Sequence, residues 1–246
     1  MSFPGCVNLN LRMIFFTDFD GTVTHEDVPD LLVATYGYGL EKLRESNQAA
    51  LNGRMTYREA CQEQLESIRL GFNKCIDKAL ILVQLDPGFL AFYEWAGSVG
   101  VPIVVLSGGL TPMIEAMLKH MLGHEALDRI KVVANDVAVR DGFGSVDEDG
   151  GAWRVVFRDD SVYGNDKGRA IVSYASHFEG INTCNNSKRP ISLFAGDGVS
   201  DLSAAGKTDL LFAKRGEDLV QYCKQKQLPF IEFTNWENIL KTTQDL

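Results

Sequence analysis

Four short apolar runs, separated by helix-like patterns and polar turns, restrict the fold of this 246-residue sequence more than any other feature. They span residues 13–17, 101–106, 191–195 and 209–213. A continuous apolar run of this length suits a strand buried on both faces of a parallel sheet. Helical patterns follow residue 111 and Asp166, and the Asp166 side chain is a suitable helix N-cap. The alternation predicts an α/β fold with a doubly wound, mostly parallel sheet.

Two regions interrupt this alternation. Residues 26–85 have a helical pattern, in which Thr56 with Glu59 three residues later forms a capping box. Residues 132–157 contain short β-rich pieces around Asp141 and Gly142, which are typical of a β-hairpin. We therefore predict an α/β core formed by residues 1–25 and 86–246, and a helical domain formed by residues 26–85.

Charge and composition exclude several classes of protein. The net charge is -9, and no basic stripe of the kind that binds nucleic acid is present. The sequence does not begin with the basic segment and apolar stretch that are typical of a signal peptide, so we do not expect one. It has no run of roughly 18 apolar residues, so we expect no contact with a membrane. The five cysteines include no C-x-x-C pair. We expect reduced thiols in a cytoplasmic protein, without a structural zinc site.

Polar residues cluster where three of the predicted strands end. They are Asp18 and Asp20 after the first run, Ser107, Gly108 and Gly109 after the second, and Asp197 and Asp201 after the third. Lys167 begins a predicted helix between the second and third of these runs. Because ligands of open α/β sheets bind beyond the carboxyl ends of the strands, we expect these residues to meet in one crevice.

The residue types predict phosphoryl transfer. Several carboxylates in one crevice repel each other and need a cation, and hard oxygen ligands suit Mg²⁺. One carboxylate can attack phosphorus, and a second can protonate the leaving oxygen and later activate water. A hydroxyl, backbone N–H groups and a lysine can hold the phosphoryl oxygens.

The motifs resemble those of the haloacid dehalogenase (HAD) superfamily. Residues 18–24, Asp-Phe-Asp-Gly-Thr-Val-Thr, resemble its first motif. Ser107, Lys167 and residues 196–201 match the second, third and fourth motifs, in the family's order. The resemblance implies a phosphatase rather than a dehalogenase, since the family's dehalogenases lack the aspartate found here at position 20.

The resemblance also implies a role for each motif residue. Asp18 would be the nucleophile, and Asp20 the general acid and base. Ser107, Gly108 and Lys167 would bind the transferring phosphoryl group. The magnesium ligands would be Asp18, the backbone carbonyl of Asp20, and Asp197, with Asp201 supporting either the metal or the lysine.

The helical insertion after the first motif resembles the C1 cap of the phosphoserine-phosphatase-like branch, in which the cap supplies specificity. Gln64 occupies the position at which phosphoserine phosphatases place a carboxylate-binding arginine, and Asp27 falls near their amine-binding glutamate. A glutamine cannot replace the charged fork of an arginine. Gln64 is then either a polar residue at the edge of an apolar stripe or, with Asp27 and Tyr57, a ligand of substrate hydroxyls.

Nearly the full sequence resembles small fungal HAD phosphatases that act on polyol phosphates. Residues 16–24, 85–89 and 210–216 carry this likeness, and we expect Lys214 and Arg215 to lie in a solvated turn. We predict a Mg²⁺-dependent phosphomonoesterase for small soluble metabolites, either polyol or sugar phosphates. The alternatives are a phosphoserine phosphatase, the enol-phosphate phosphatase of methionine salvage, a phosphomutase, and a catalytically silent regulator that binds a phosphorylated metabolite.

Overall fold

A computed structural model describes residues 13–182 and 190–246. The strands are β1 (Met13–Thr17), β2 (Ile103–Leu110), β3 (Ile130–Val139), β4 (Trp153–Val156), β5 (Ile191–Gly196), β6 (Leu210–Lys214) and β7 (Ile231–Phe233). The helices are α1 (Val28–Tyr36), α2 (Leu40–Leu51), α3 (Tyr57–Glu66), α4 (Phe72–Leu82), α5 (Phe89–Val99), α6 (Thr111–Leu122), α7 (Ala126–Arg129), α8 (Lys167–Asn182), α9 (Asp218–Lys226) and α10 (Trp236–Gln244).

The strands form a seven-stranded sheet in the order β4-β3-β2-β1-β5-β6-β7. All neighbouring pairs are parallel except β3 and β4, which are antiparallel. β1 lies in the middle, and Phe16 is paired with Val104 of β2 on one side and Phe194 of β5 on the other. The predicted α/β class and the four predicted strands are therefore confirmed. The predicted hairpin is the β3–β4 pair, whose first strand also extends the parallel sheet.

Both faces of the sheet are covered by helices. Successive residues of β1 point to opposite sides of the sheet, and each side contacts its own helices. Phe15 packs against Phe92 of α5 and Trp236 of α10, with ring centroids 4.7 and 5.5 Å away. Phe16 faces the other side and packs against Tyr174 of α8 at 5.7 Å. The buried residues accordingly form two clusters, one on each side of the sheet. This is the doubly wound arrangement that the sequence predicts.

Helices α1–α4, called the cap below, lie between β1 and α5. The two chain segments that lead into and out of the cap run side by side. The His25 N–H donates to the Gln84 carbonyl and the Asp86 N–H to the Val23 carbonyl, both at 2.9 Å. Helix α3 begins with the predicted capping box between Thr56 and Glu59.

The β3–β4 hairpin connects the cap to the sheet at a third place. The Phe72 N–H donates to the Val146 carbonyl at 2.9 Å, and the Trp153 indole donates to the Leu70 carbonyl at the same distance. Glu66 at the end of α3 forms an ion pair with Arg140 at 2.8 Å. These contacts fix α3 and α4 beside the carboxyl ends of the strands.

The described cysteines Cys61, Cys75 and Cys223 are buried free thiols, in line with the expected reduced state, whereas Cys6 and Cys184 lie outside the described residues. Across residues 13–182 and 190–246, no helix combines the length and the apolar character that a membrane crossing requires.

Candidate active site

A crevice of about 660 Å³ lies between the cap and the carboxyl ends of β1, β2 and β5. Its walls include these predicted site residues: Asp18, Asp20, Ser107, Gly108 and Asp197 from the core, and Asp27, Tyr57 and Gln64 from the cap. The remaining two, Lys167 and Asp201, are fully buried behind the crevice wall. The structure therefore brings the sequence-predicted residues together.

Lys167, the first residue of α8, links two of the carboxylates. Its ammonium lies 2.8 Å from Asp18 Oδ1 and 2.6 Å from Asp201 Oδ1. It also donates to the Ser200 hydroxyl at 2.9 Å. Burial lowers the pKa of Lys167, but the charges of Asp18 and Asp201 outweigh burial and the pKa is raised. The lysine therefore stays positively charged between the two carboxylates.

Asp201 shapes the loop that follows β5. Its Oδ1 accepts from Lys167, and its Oδ2 accepts from the backbone N–H groups of Asp197 and Gly198 at 2.9 and 3.0 Å. Both carboxylate oxygens are thus engaged by the protein. This arrangement favours support of Lys167 and of the loop as the main role of Asp201.

Asp197 lies against the turn of the first motif. Its Oδ1 accepts from the Thr22 hydroxyl at 2.5 Å. Gly21 has a φ of +72°, and a Cβ placed there would lie 2.8 Å from Asp197 Oδ2. Both the backbone conformation and the close approach therefore require glycine at position 21.

Asp18 and Asp20 differ in their surroundings. Asp18 Oδ1 accepts from the Phe19 N–H at 2.6 Å in addition to Lys167. Burial and then the charge of Asp201 raise the pKa of Asp18 to about 7, against the opposing effect of Lys167. Asp20 has a longer bond from the Val28 N–H, 3.3 Å, and no ion pair within the described residues. Burial and then the charge of Asp18 raise the pKa of Asp20 well above its usual value.

Two buried asparagines hold the end of β2. Asn165 donates to the carbonyls of Ser107 and Val133, and Asn135 donates to the carbonyl of Gly108, at 2.8 to 3.0 Å. The strand therefore continues through Ser107 to Leu110, with an irregular register, rather than ending at residue 106 as predicted. Ser107 and Gly108 thus lie in the last part of a strand and not in the turn that follows it.

The cap approaches Gly108 closely. A Cβ at position 108 would lie 2.6 Å from the Tyr57 hydroxyl, so a larger residue would force the Tyr57 side chain to shift. Gln64, which is only 9% exposed, lies on the same helix and faces the crevice. Asp27 has a structural role as well, because its Oδ1 caps α1 by accepting from the Asp30 N–H at 2.8 Å.

Sequence reasoning missed several residues around this crevice. Ser200 donates to Asp18 Oδ2 at 3.4 Å and accepts from Lys167. Asp30, Arg44 and Asn47 line the cap side, and Arg44 gives this wall a cationic side chain. The spacing of Asp30 from Asp27 offered a signal, since Asp27 caps α1 and Asp30 lies in its first turn, but nothing in the sequence marked Arg44 or Asn47.

The carboxylates form a cluster that fits a divalent cation. Oxygens of Asp18, Asp197 and Asp201 all lie within 4.8 Å of one another. Burial, followed by the charge of Asp18, raises the pKa of Asp197 well above its usual range. Such a shift reflects the cost of burying neighbouring negative charges, and a bound cation would remove that cost.

A parallel α/β sheet with a buried aspartate, a lysine beside it and an acidic cluster at the strand ends defines a hydrolase of the phosphoryl-transfer class. The chain belongs to the haloacid dehalogenase-like hydrolase family, whose model matches residues 15–206.

Relatives and solved structures agree with this assignment. The chain is 40% identical to "Polyol phosphate phosphatase PYP1" of Saccharomyces cerevisiae, over 96% of this chain and 94% of that protein. It is 37% identical to "Pdp3-interacting factor 1" of Schizosaccharomyces pombe, over 96% of each. A substrate-bound phosphoserine phosphatase complex has the same fold, with a TM-score of 0.68 at 20% identity over 94% of this chain and 98% of that one. The protein is a HAD-type phosphatase with a helical cap inserted after the first strand.

Proposed function

We propose that the protein hydrolyses phosphomonoesters through a phosphoaspartyl intermediate on Asp18, with Mg²⁺ as its cofactor. The observation that carries this proposal is the placement of Asp18: its carboxylate lines the crevice, is held by Lys167 at 2.8 Å and has Asp20 two residues away on the same wall. A nucleophile, its cationic partner and a second carboxyl group are the parts that this chemistry needs.

The acidic cluster fits magnesium in the type of its donors, which are carboxylate oxygens. Asp18, Asp197 and the backbone carbonyl of Asp20 would hold the ion. Asp201 would support it indirectly, because both its oxygens already accept hydrogen bonds. When bound, the ion neutralises charge on the cluster and on the phosphoryl oxygens.

The protein's own residues account for the proton and bond changes. Asp18 attacks phosphorus as the bond to the leaving oxygen breaks, and Asp20 gives that oxygen its proton. A water molecule then attacks the phosphoaspartate, Asp20 takes the proton of this water, and inorganic phosphate leaves with Asp18 restored. The raised pKa of Asp20 suits a group that begins the cycle protonated.

Ser107, Gly108 and Lys167 would bind the phosphoryl oxygens through a hydroxyl, a backbone N–H and an ammonium group. Asn135 and Asn165 engage the carbonyls of this strand end, which fixes the direction of its N–H groups. The site would therefore be preorganised before the ester binds.

We further propose that the substrates are polyol or sugar phosphates, recognised by a cap domain of residues 26–85. The name of the yeast relative supports this class. Gln64, Asp27 and Tyr57 line the cap wall and would contact the leaving group. Phosphoserine and the enol phosphate of methionine salvage are weaker alternatives, because neither needs several hydroxyl-binding groups. A catalytically silent regulator or a mutase would not explain the 40% identity to the yeast polyol phosphate phosphatase.

The expected place of action is the cytoplasm, which the free thiols of Cys61, Cys75 and Cys223 support.

The test is phosphate release from a panel of esters with Mg²⁺, with Asp18→Asn as the control. The panel contains the phosphates of sorbitol, glycerol and erythritol, sugar phosphates, and phosphoserine. We expect release from the polyol phosphates that disappears with EDTA and in Asp18→Asn. Preferential hydrolysis of phosphoserine would refute the substrate class, and the absence of release from every ester would refute the proposed reaction.

A further inference from the structure

A chain of hydrogen bonds crosses the cap from α1 to α3 and ends at Gln64. Asn47 Nδ2 donates to Asp30 Oδ2 at 3.2 Å. Gln64 Nε2 in turn donates to Asn47 Oδ1 at 2.6 Å and to the Ser46 hydroxyl at 3.1 Å. Asp30, Asn47 and Gln64 all line the crevice. The chain therefore connects an acidic group to a side chain that faces the leaving group.

Asp30 sets the direction of the whole chain. An ionised carboxylate only accepts hydrogen bonds, so the Asn47 side chain must turn its NH₂ group towards Asp30. The Asn47 oxygen then faces Gln64, and this oxygen requires the NH₂ group of Gln64. The opposite orientation of Asn47 would place an oxygen against the carboxylate.

Because both hydrogens of the Gln64 amide are used inside the cap, its Oε1 atom is the polar atom left for a ligand. This oxygen accepts hydrogen bonds and cannot donate them. Asp27 adds another acceptor on the same wall. A hydroxyl of a leaving group can donate to these oxygens, whereas a carboxylate has no hydrogen to donate to them. Arg44 is the cationic side chain on the same wall, and it lies beside the acidic residues Asp27 and Asp30.

We infer that Asp30, Asn47 and Gln64 form a specificity relay that selects leaving groups bearing a hydroxyl and rejects those bearing a carboxylate. The inference rests on the proposed phosphatase reaction and narrows its substrate class. Gln64 contacts the leaving group, whereas Asp30 and Asn47 act through Gln64 and are positioning residues.

The experiment compares kcat/KM for glycerol 3-phosphate and 3-phosphoglycerate, which differ by a CH₂OH group against a carboxylate. p-Nitrophenyl phosphate, whose leaving group has no alcohol hydroxyl, reports the reaction without a contact between Gln64 and a substrate hydroxyl. The variants are Gln64→Met and Asn47→Ala. Gln62→Met is the matched control, because Gln62 lies on the same helix and is exposed outside the crevice.

We expect the wild type to prefer glycerol 3-phosphate. This preference should fall about tenfold in Gln64→Met and Asn47→Ala, chiefly through KM, since one hydrogen bond to a substrate hydroxyl is lost or misdirected. Turnover of p-nitrophenyl phosphate should fall less than turnover of glycerol 3-phosphate in Gln64→Met and Asn47→Ala, whereas Gln62→Met should keep the wild-type turnover and the wild-type preference.

Equal losses on all three esters would show that the relay only supports the fold and would overturn the inference, as would a wild-type preference for 3-phosphoglycerate. Failure of the proposed reaction looks different, because the wild type would then release no phosphate even from p-nitrophenyl phosphate.

Discussion

Asp18 and Asp20 are the same residue type two positions apart, yet their contacts differ. Lys167 and the Phe19 N–H engage Asp18, and both stabilise its charged form. The hydrogen bond that Asp20 accepts from the Val28 N–H is long, at 3.3 Å, and burial raises the pKa of Asp20. In the proposed reaction the carboxylate that a lysine and a backbone N–H engage is the nucleophile, and the carboxyl group with fewer stabilising contacts is the acid.

Replacing Asp20 by asparagine tests the role of its proton. Asp20→Asn keeps the shape of the side chain and an oxygen for the Val28 N–H, so the protein should fold normally. It removes the proton that the leaving oxygen needs. We expect kcat/KM for glycerol 3-phosphate to fall by about 10²–10⁴, the usual contribution of a general acid.

The same variant should lose far less kcat/KM on p-nitrophenyl phosphate, because nitrophenolate leaves without protonation. Steady-state rates on both esters, with unfolding midpoints to confirm folding, provide the check. A loss of similar size on the two esters would show that Asp20 is not the acid.

The positions of residues in the candidate active site were predictable from the sequence where the proposed chemistry restricts the residue type. Asp18, Asp20, Lys167 and Asp197 lie where strand ends and a helix start had been predicted. Residues that act through others were not predictable. The sequence pattern places Asn47, for example, on the exposed side of a helix. Only the structure shows that its side chain lies between Asp30 and Gln64 and forms hydrogen bonds with both.

At the scale of elements, the two segments that flank the cap are joined to the core by a buried ion pair. Lys214, the last residue of β6, lies 3.2 Å from Asp86 Oδ2 and donates to the Gly21 carbonyl at 2.6 Å. The expectation that Lys214 lies in a solvated turn was wrong, since its side chain is only 15% exposed. Asp86 also accepts from the Trp236 N–H at 3.0 Å. The pair thus links both cap connections to β6 and α10.

Breaking this pair should weaken the whole core. In Lys214→Met, Asp86, whose side chain is 2% exposed, loses its cationic partner, and we expect a loss of about 3 kcal/mol in the free energy of unfolding. Urea unfolding of the purified protein measures it.

Arg215→Met is the matched control on the next residue. Arg215 pairs with Glu232 at the surface, with the two side chains 65% and 31% exposed, and such pairs contribute less than about 1 kcal/mol. Similar losses in the two variants would argue against a special role for Lys214.

Helices and strands were predictable where the hydrophobic pattern of the sequence was strong. They were missed where a segment becomes a strand only by pairing with a neighbouring strand. The buried strands and the capping box of α3 follow from local sequence. The short strand β7 does not, because its three residues become a strand only through pairing with β6. The end of β2 was misplaced for a similar reason, since the amides of Asn165 and Asn135 bind the carbonyls of Ser107 and Gly108 and extend the strand beyond residue 106.

At the scale of the molecule, the acidic cluster makes stability depend on both pH and metal. In the metal-free protein, burial and then the charge of Asp201 raise the pKa of Asp18 from 3.8 to about 7, and burial and the charge of Asp18 raise those of Asp20 and Asp197 in the same direction. The folded state then keeps protons that the unfolded chain has already released. Stability from these groups is full below about pH 4 and is lost as the pH rises towards 7.

Magnesium should reverse this trend, because it binds the deprotonated carboxylates of the folded state only. We expect the thermal midpoint in EDTA to fall from pH 5 to pH 8, and the increase caused by millimolar Mg²⁺ to be larger at pH 8 than at pH 5.

Asp197→Asn removes one buried charge without changing the side-chain shape. It should flatten the decline in EDTA and reduce the effect of Mg²⁺, while titrating groups elsewhere affect both proteins equally. If the wild-type midpoint in EDTA declines no more steeply than that of Asp197→Asn, mutual repulsion of the carboxylates does not lower the stability. If Mg²⁺ raises the midpoint equally in the two proteins, Asp197 is not a ligand of the metal.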